Sequence, residues 1–461
     1  MTATAQLVPD AQARVEAPLT LEDPAPRVLG WLDQIGLWGN LGISLLGPVG
    51  AIAVLAPFGF SPLSLLGAGL AVIVGTLLGT AMVAAAAVPG AQTGAPSMVL
   101  LRGLFGVRLS YLPTIVNVVQ LVGWTVFEIV VITQGAQQLM AQELSWHGYH
   151  WAYVVVAGVL TTAMAIRPLG AVRILRRYAL VAVTIATVYL FIQLLRHPSP
   201  SLTHGAWSGF WPACDVVIAV AVSWAPLASD YTRHAKSAKS AFGATMIGYT
   251  VTQVACYILG LVALATVVRA SSADLQHDMF AAFIAVPVGW LAFAALVLRE
   301  LDESFADSYS TVMSLQNLWP RADRRVLAVL VGGVATALAL VLDITSYFNF
   351  LYLLGSVFVP LTAVFVVDYF IGHRRRARNW DVSVAAPTRA LMVVPWLLGF
   401  ATYQLIYPGG ITWWVEAWGW VADQLHFTAQ TWMSASVMSF VVAAAVTLPL
   451  SLRSRPTAQA S

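Results

Sequence analysis

A stripe of charged residues interrupts a long apolar stretch in the second half of the chain. Arg299, Glu303 and Asp307 are spaced four residues apart, so on a helix they share one face. Arg299 can pair with Glu303 and with Asp302, which leaves Asp307 as a candidate to bind a substrate or a proton. Clustered carboxylates in apolar surroundings can take up a proton near neutral pH. We therefore predict that Asp302, Glu303 and Arg299 take part in coupling to a cation.

A second candidate group lies in an earlier apolar stretch, where Trp124 and Glu128 are one helical turn apart. An aromatic ring beside a carboxylate suits a flat heterocycle, because the ring can stack on it while the acid bonds to its edge. The same stretch contains Asn117, Gln120 and Gln134. We predict that Trp124 and Glu128 bind substrate.

Two further stretches contain residues that interrupt helices. The first carries Gly42 and Ser44 ahead of a Gly-Pro pair, and the second carries Trp224 and Pro226. Paired breaks in two halves of a membrane protein point to a transporter's binding site, although close helix packing also uses Gly and Pro. We predict that Gly42, Ser44 and Trp224 bind substrate. Asp230, at the end of the second stretch, is predicted to be a capping or gate residue.

The composition indicates what must position these groups. Hydrophobic residues make up 59% of the 461 residues and charged residues only 10%, against about 25% charged residues in soluble proteins. Apolar runs of roughly 20 residues recur, each long enough to cross a bilayer. The sequence predicts an all-α integral membrane protein with Cys214 and Cys256 as buried thiols. Twelve spans are predicted: 35–57, 64–90, 110–139, 151–168, 177–195, 213–230, 242–268, 288–316, 326–344, 346–371, 388–407 and 431–452.

The eighth span has two alternative registers. If it covered 279–298, the charged stripe would lie in solvent at the cytoplasmic end. Pro287 and Gly289, together with the apolar residues after 312, favour the deeper register of 288–316. A charge at the bilayer centre costs at least about 2.5 kcal/mol, so a stripe at this depth indicates a functional site.

Lysine and arginine residues lie mainly in the connections on one side of the predicted spans, which the positive-inside rule assigns to the cytoplasm. The basic run 373–378 belongs to this side, and we assign it to anchoring at anionic lipid rather than to nucleic-acid binding. Arg196 and Arg269 lie on the other side, where 271–286 is predicted to form an amphipathic helix and the Trp-rich stretch 409–420 an interfacial belt. Both termini are predicted to be cytoplasmic, with the protein in the plasma (inner) membrane.

At these residues the chain resembles the nucleobase–cation symporter family, the purine–cytosine and hydantoin permeases, over nearly its whole length. The resemblance implies a five-plus-five inverted-repeat transporter fold with discontinuous helices 1 and 6, which moves by alternating access. It is carried by four motifs: Trp38-Gly39-Asn40 in the first span, Gly123-Trp124-xxx-Glu128 in the third, Trp224 to Arg233 in the sixth, and Ala306-Asp307-Ser308-Tyr309-Ser310 in the eighth.

The resemblance also implies roles for individual residues. Trp124 would stack on one face of the substrate, and Glu128 stands at the position of an amide that bonds the substrate's edge. Trp224, or Ala221, would pack on the other face. Asp307 matches an eighth-helix Asn that binds substrate in relatives.

Departures from the family bear on the ion and the substrate. Relatives that use sodium place small hydroxyl residues near the positions of Leu301 and Asp302 or Glu303, and this chain has no such pair there. A proton, or sodium held by a carboxylate, is therefore predicted as the coupling cation. Acids at Glu128 and Asp307 would prefer ring N–H donors, as in purines, cytosine or a cationic vitamin precursor.

We predict a secondary active transporter that imports a nucleobase or a related planar nitrogen heterocycle by cation symport, with no cofactor and no metal. Alternatives are an amino-acid, amine or vitamin-precursor carrier on the same fold, an intramembrane enzyme, or a non-transporting sensor. The sequence does not indicate the oligomeric state. The predicted organisation is a disordered cytoplasmic tail (1–30), a ten-helix transport core (31–371), two additional helices (372–452) and a cytoplasmic tail (453–461).

Overall fold

The computed structural model describes residues 25–166, 170–197, 201–266, 274–319 and 322–453, apart from the side chains of 170–180, 309, 313, 316, 317 and 345. Most of the predicted tails, and Arg269, lie outside these residues. The described residues form an all-α protein, as predicted, whose main helices are α1 (Trp31–Leu41), α2 (Leu46–Leu55), α3 (Leu65–Thr93), α4 (Ser97–Phe105), α5 (Tyr111–Leu144), α6 (His150–Ile166), α7 (Gly170–Leu194), α8 (Phe210–Val222), α9 (Ala228–Thr232), α10 (Ala238–Thr266), α11 (Leu275–Ala285), α12 (Gly289–Leu318), α13 (Arg324–Ala339), α14 (Ile344–Val367), α15 (Val393–Ile406), α16 (Thr412–Gln424) and α17 (Ala435–Arg453).

Local sequence signals set several helix ends. The Ser64 hydroxyl accepts a hydrogen bond from Gly67 N at 3.1 Å and starts α3. The Asp343 carboxylate accepts one from Ser346 N at 3.0 Å and starts α14, because side-chain oxygens satisfy the free N–H groups of a first turn. Gly94 ends α3 in the left-handed conformation, with φ of 76°, which glycine adopts without steric cost.

The described helices give the chain several membrane crossings. Six of them, or seven if the bent α1–α2 pair is one span, are individually long and apolar enough to cross a membrane. A helix overlaps each of the twelve predicted spans. Shorter apolar stretches of helix lie at His150–Ile166, Val181–Leu194 and Ala390–Ile406.

Two spans are interrupted where the sequence predicts breaks. Helices α1 and α2 meet at an angle of 63°, with Gly42 directly after the end of α1. In the sixth span a single 3-10 turn, Ala225–Leu227, separates α8 from α9. The two breaks therefore differ in shape, since the first is a sharp bend and the second a short tightening of the helix.

The charged stripe lies inside the helical bundle. Helix α12 runs from Gly289 to Leu318, which agrees with the deeper of the two predicted registers. It packs against α5, α6 and α7, while α10 packs against α1, α2 and α3. Arg299, Glu303 and Asp307 are each at most 3% exposed. The segment before α12 forms the separate helix α11, as predicted, and its location on the outer side stays a prediction.

Buried polar contacts attach the C-terminal helices to the rest of the bundle. The Asp215 carboxylate of α8 accepts hydrogen bonds from the Ser434 hydroxyl at 2.6 Å and from Ala435 N at 2.9 Å, at the start of α17. Asp368 pairs with Arg389 at 2.6 Å. Both cysteines are free and buried, as predicted.

Candidate functional site

The predicted binding residues surround one internal cavity of about 40 Å³. Room of this size holds a few water-sized molecules at most. Its walls come from the α1–α2 break and from α5, α8, α10, α12 and α14. The lining residues are Leu41, Gly42, Ser44, Leu46, Gly47, Trp124, Glu128, Val220, Trp224, Tyr249, Gln253, Cys256, Tyr257, Glu303, Asp307 and Tyr347.

Trp124 and Glu128 line the cavity from consecutive turns of α5, and both are buried. The indole of Trp124 makes edge-on contacts with the rings of Tyr347 at 6.1 Å and Phe350 at 5.5 Å between centroids. Such contacts fix an aromatic ring in one orientation. The structure therefore brings a fixed ring and a carboxyl group to the same wall, as the sequence predicts.

Glu128 faces a second carboxyl group across the cavity. The side chains of Glu128 and Asp307 lie within hydrogen-bonding reach of each other, although 179 positions separate them in the sequence. Among the residues that the structure describes, no N–H or O–H group donates to Glu128 Oε2. Two carboxyl groups form a hydrogen bond only when one of them carries a proton, so this contact is suited to binding a proton.

Arg299 makes the predicted ion pairs. Its Nη2 atom lies 2.8 Å from Glu303 Oε1, and its Nη1 atom lies 3.6 Å from Asp302 Oδ2. Arg299 and Asp302 do not line the cavity, whereas Glu303 does. Arg299 Nη2 also donates to the Asn40 carbonyl oxygen at 2.6 Å. The cation-coupling role that the sequence predicts for these three residues stays a prediction.

Glu300 is a site residue that sequence reasoning missed. Its carboxylate accepts hydrogen bonds from the Ser44 hydroxyl, at 3.1 Å, and from Leu45 N. It is completely buried. The sequence shows a carboxylate beside Arg299, but Glu300 lies off the i, i+4 stripe, so nothing in the spacing indicates that it meets the first break. Sequence reasoning likewise missed Gln253 and the three tyrosines of the cavity wall, Tyr249, Tyr257 and Tyr347. Polar residues inside apolar spans are the signal that could have found them.

Trp224 lines the cavity at the second break, next to the 3-10 turn. Ala221, the alternative for this role, is fully buried away from the cavity, where it packs against Gly79. Gln120 Nε2 donates to the Ser223 carbonyl oxygen at 3.0 Å. Gln120 thus bonds to the backbone at the second break, and the cavity lining contains none of the three amides of the third span.

Asp230 makes a capping contact, as predicted. Its Oδ1 atom accepts a hydrogen bond from Ser97 N at 2.8 Å. Ser97 is the first residue of α4, and a carboxylate at this end complements the helix dipole. No group of three or more His, Cys, Asp or Glu side chains in the described part of the chain could hold a metal ion.

Several membrane-crossing helices, two interrupted spans and a buried cavity lined by aromatic and acidic side chains define the chain as a multi-pass membrane protein of the transporter class. Residues 30–388 match the family described as permease for cytosine/purines, uracil, thiamine, allantoin. The chain belongs to this family, so the resemblance inferred from the sequence motifs is confirmed.

Curated relatives and solved structures agree with this assignment. The chain is 22% identical over 357 residues to the cytosine permease of Escherichia coli (strain K12), covering 74% of this chain and 81% of that permease. It is similar to Mhp1, a nucleobase-cation-symport-1 family transporter, in a closed conformation with bromovinylhydantoin bound, with a TM-score of 0.68, 14% identity, and coverage of 95% of this chain and 94% of Mhp1.

A transporter of another cargo has the same fold. The manganese transporter of Eremococcus coleocola aligns with a TM-score of 0.56 and 13% identity over 95% of this chain and 98% of that chain. At such low identity the structural likenesses establish the fold only.

Proposed function

We propose that this permease imports a planar nitrogen heterocycle with ring N–H donors, such as a purine or cytosine, and that a proton drives the uptake. The observation that carries the proposal is the buried contact between Glu128 and Asp307. Two carboxylates that share an apolar site cannot both stay charged, because burial and like-charge repulsion both disfavour the second charge. The pair therefore binds a proton in the arrangement seen here.

Other charged groups near the pair do not replace this proton. Glu303 and Glu300 add further negative charge near the pair, and Tyr347 and Tyr231 contribute hydroxyl groups. Arg299 is engaged by Glu303, Asp302 and the Asn40 carbonyl. A proton is the smallest cation that can offset the remaining charge at Glu128 and Asp307.

The shape of the site suits a flat ring. Trp124 and Trp224 both line the cavity, so a heterocycle can stack on an indole while its N–H groups donate to the carboxyl groups. The relatives support the same substrate class, since one is a cytosine permease and another is described with bromovinylhydantoin bound. The present cavity of about 40 Å³ is too small for a ring, so substrate enters only when the surrounding helices move apart.

We also propose the full topology. Twelve helices cross the inner membrane with both termini in the cytoplasm, and the first ten form two inverted five-helix repeats. The positions of the two breaks, five spans apart, support this arrangement. Ser201→Cys and Ser383→Cys, each made in a Cys214→Ala/Cys256→Ala background, test it. Both serines are exposed, and a membrane-impermeant maleimide added to whole cells should label only Ser201→Cys.

Uptake into proteoliposomes tests the transport proposal. Labelled cytosine and purines are offered with an inside-alkaline pH gradient, with and without sodium. We expect the gradient to drive accumulation in wild type, and Glu128→Gln and Asp307→Asn to lose at least tenfold of this concentrative uptake. An amide cannot release a proton, yet it still offers a hydrogen-bond acceptor, so thermal-shift binding of substrate should persist in at least one variant.

Glu143→Gln is the matched control, because it makes the same chemical change at an exposed position of α5. It should accumulate substrate like wild type. Gradient-driven accumulation that is unchanged in both Glu128→Gln and Asp307→Asn would contradict the proton proposal. Failure of Trp124→Ala to weaken binding of the best heterocycle would contradict the proposed binding site.

A further inference from the structure

The positively charged side chain of Arg299 contacts the carboxyl end of α1. Helix α1 ends at Leu41, and the last carbonyl groups of a helix have no partner within it. Arg299 Nη2 donates to one of them, the Asn40 oxygen, at 2.6 Å, and Ile43 N beyond the helix end donates to the same oxygen at 3.3 Å. The C-terminal end of a helix carries a partial negative charge that favours a cation. Arg299 is 2% exposed, so water does not screen this interaction.

The amino end of α2 is closed by an anion from the adjacent residue. Helix α2 begins at Leu46, and its first N–H groups carry the partial positive charge of the helix dipole. The Glu300 carboxylate accepts hydrogen bonds from Leu45 N and from the Ser44 hydroxyl. The same hydroxyl accepts from Leu46 N at 3.0 Å. Glu300 thus stabilises the start of α2 directly and through Ser44.

The signs of the two charges match the two helix ends. Arg299 and Glu300 are consecutive residues of α12, yet each contacts a different half of the broken helix. Neutralising Glu303 requires only the positive charge of Arg299, so it does not account for the buried acid at Glu300. Buried charges are costly unless they are paired and hydrogen-bonded, so a second buried charge at Glu300 requires a partner of its own, and the start of α2 provides it.

We propose that Arg299 and Glu300 are positioning residues that act as a tethered cation and anion, closing the break in the first span in place of an ion from solution. Because the guanidinium also pairs with Glu303 and Asp302 on its own helix, it stays in the membrane when α1 moves away from α12. The contact with Asn40 can then re-form in every cycle without recruiting a free cation. This inference goes beyond the proposed substrate and proton, and it holds for any cargo.

Chemical rescue of Arg299→Ala is the test. Truncation leaves the Asn40 carbonyl and the carboxylates of Asp302 and Glu303 without their cation, so a free cation should substitute. We expect wild-type thermal stability and uptake to be unaffected when sodium is replaced by choline. Arg299→Ala should lose at least tenfold of its uptake, and millimolar guanidinium or sodium should raise both its thermal stability and its uptake.

Arg389→Ala is the matched control, because Arg389 also forms an ion pair, with the buried Asp368, but lies outside the break. Asp368 keeps the Ser451 hydroxyl as a donor, so this variant should lose stability with much less rescue by guanidinium or sodium than Arg299→Ala. Thermal stability is measured without substrate. It therefore tests the role of Arg299 at the break even if wild type transports none of the heterocycles offered. Absence of such uptake would count only against the proposed function.

A second pair of variants covers the case in which Arg299→Ala does not fold. Arg299→Lys keeps a cation, whereas Arg299→Gln keeps hydrogen-bond donors without a charge. Arg299→Lys should therefore retain at least threefold more uptake and a higher melting temperature than Arg299→Gln. The proposal is overturned if wild type requires sodium, if a folded Arg299→Ala is not rescued by either cation, or if Arg299→Lys and Arg299→Gln behave alike.

Discussion

The breaks in the first and sixth spans occupy matching places in the sequence but are stabilised by different interactions. At the first, α1 and α2 bend by 63°, and two charged side chains from α12 bond to the exposed helix ends. At the second, a single 3-10 turn continues the helix, and the Gln120 amide bonds to the Ser223 carbonyl oxygen just before it. Backbone groups freed inside a membrane need partners, and this protein supplies them in two ways.

Hydroxyl groups and close packing stabilise the end of the sixth span. The Ser229 hydroxyl donates to the Ala86 carbonyl oxygen at 3.1 Å, and Ser229 N donates to the Ser97 hydroxyl at 3.0 Å. Gly90 lies directly against Ser229. Charged contacts act over longer distances than packing contacts, because Coulomb energy falls only as the inverse of distance. The comparison indicates that the first break can separate and re-form, whereas the second depends on exact fit.

Gly90→Ala should have the largest effect on stability. A Cβ atom at Gly90 would lie 2.6 Å from Ser229 Cβ and 2.7 Å from Ser229 Cα, and backbone atoms of a packed helix cannot yield cheaply. We expect a loss of about 2 kcal/mol, as is common for overpacking, measured as a lower melting temperature. Gly69→Ala on the same helix has room for its Cβ, so it should be neutral. Equal melting temperatures for both variants would show that the second break does not depend on close packing.

Gly42→Ala tests the first break and should have a smaller effect. Its Cβ would collide with the Thr252 hydroxyl, while the backbone oxygen of Tyr249 lies 3.1 Å away. A side-chain hydroxyl can rotate or be removed, so we expect a loss of about 1 kcal/mol. Gly42→Ala/Thr252→Ala should recover most of it, with Thr252→Ala alone as the reference for the double-mutant cycle. No recovery in the double variant would place the strain in the backbone of the bend instead.

Acidification should produce the smallest effect, at the C-terminal end of the sixth span. His234 lies just past this span, with Nδ1 3.1 Å from the Pro26 carbonyl oxygen and Nε2 accepting from Arg233 Nε at 3.2 Å. Burial lowers the pKa of His234, the Pro26 carbonyl partly opposes this, and the Arg233 charge lowers it further. A proton on Nε2 would face the Arg233 guanidinium, so the folded protein favours the neutral ring.

The sign of the pH effect follows from this lowered pKa. The unfolded chain binds a proton at His234 more readily than the folded protein does, so stability rises with pH. The stability that the folded protein gains from a neutral His234 is complete above the ordinary histidine pKa of about 6.5. It is lost as the pH falls through the lower pKa of His234 in the folded protein. We expect the melting temperature of wild type to fall more than that of His234→Gln between pH 8 and pH 5. Parallel decreases in the two proteins would exclude this contribution.

Much of the site was predictable because it follows from local spacing. Arg299 and Glu303 are one helical turn apart, and so are Trp124 and Glu128. Residues at this spacing share a face in any helix, because the helical period is 3.6 residues. The glycines and prolines that interrupt the first and sixth spans are equally local signals. The capping role of Asp230 was predicted, but its partner was not, because Ser97 lies 133 positions away.

What the sequence by itself determined is therefore the membrane-embedded helical architecture, the family, the position of both breaks and the residues that share each helix face. The tertiary structure alone decided which faces meet: that Asp307 lies against Glu128, and that Arg299 and Glu300 contact opposite ends of one broken helix. The physical reason is that helical periodicity fixes side-chain direction relative to the helix's own axis. The rotation of one helix against another is set by the packing of the whole bundle, which no local pattern encodes.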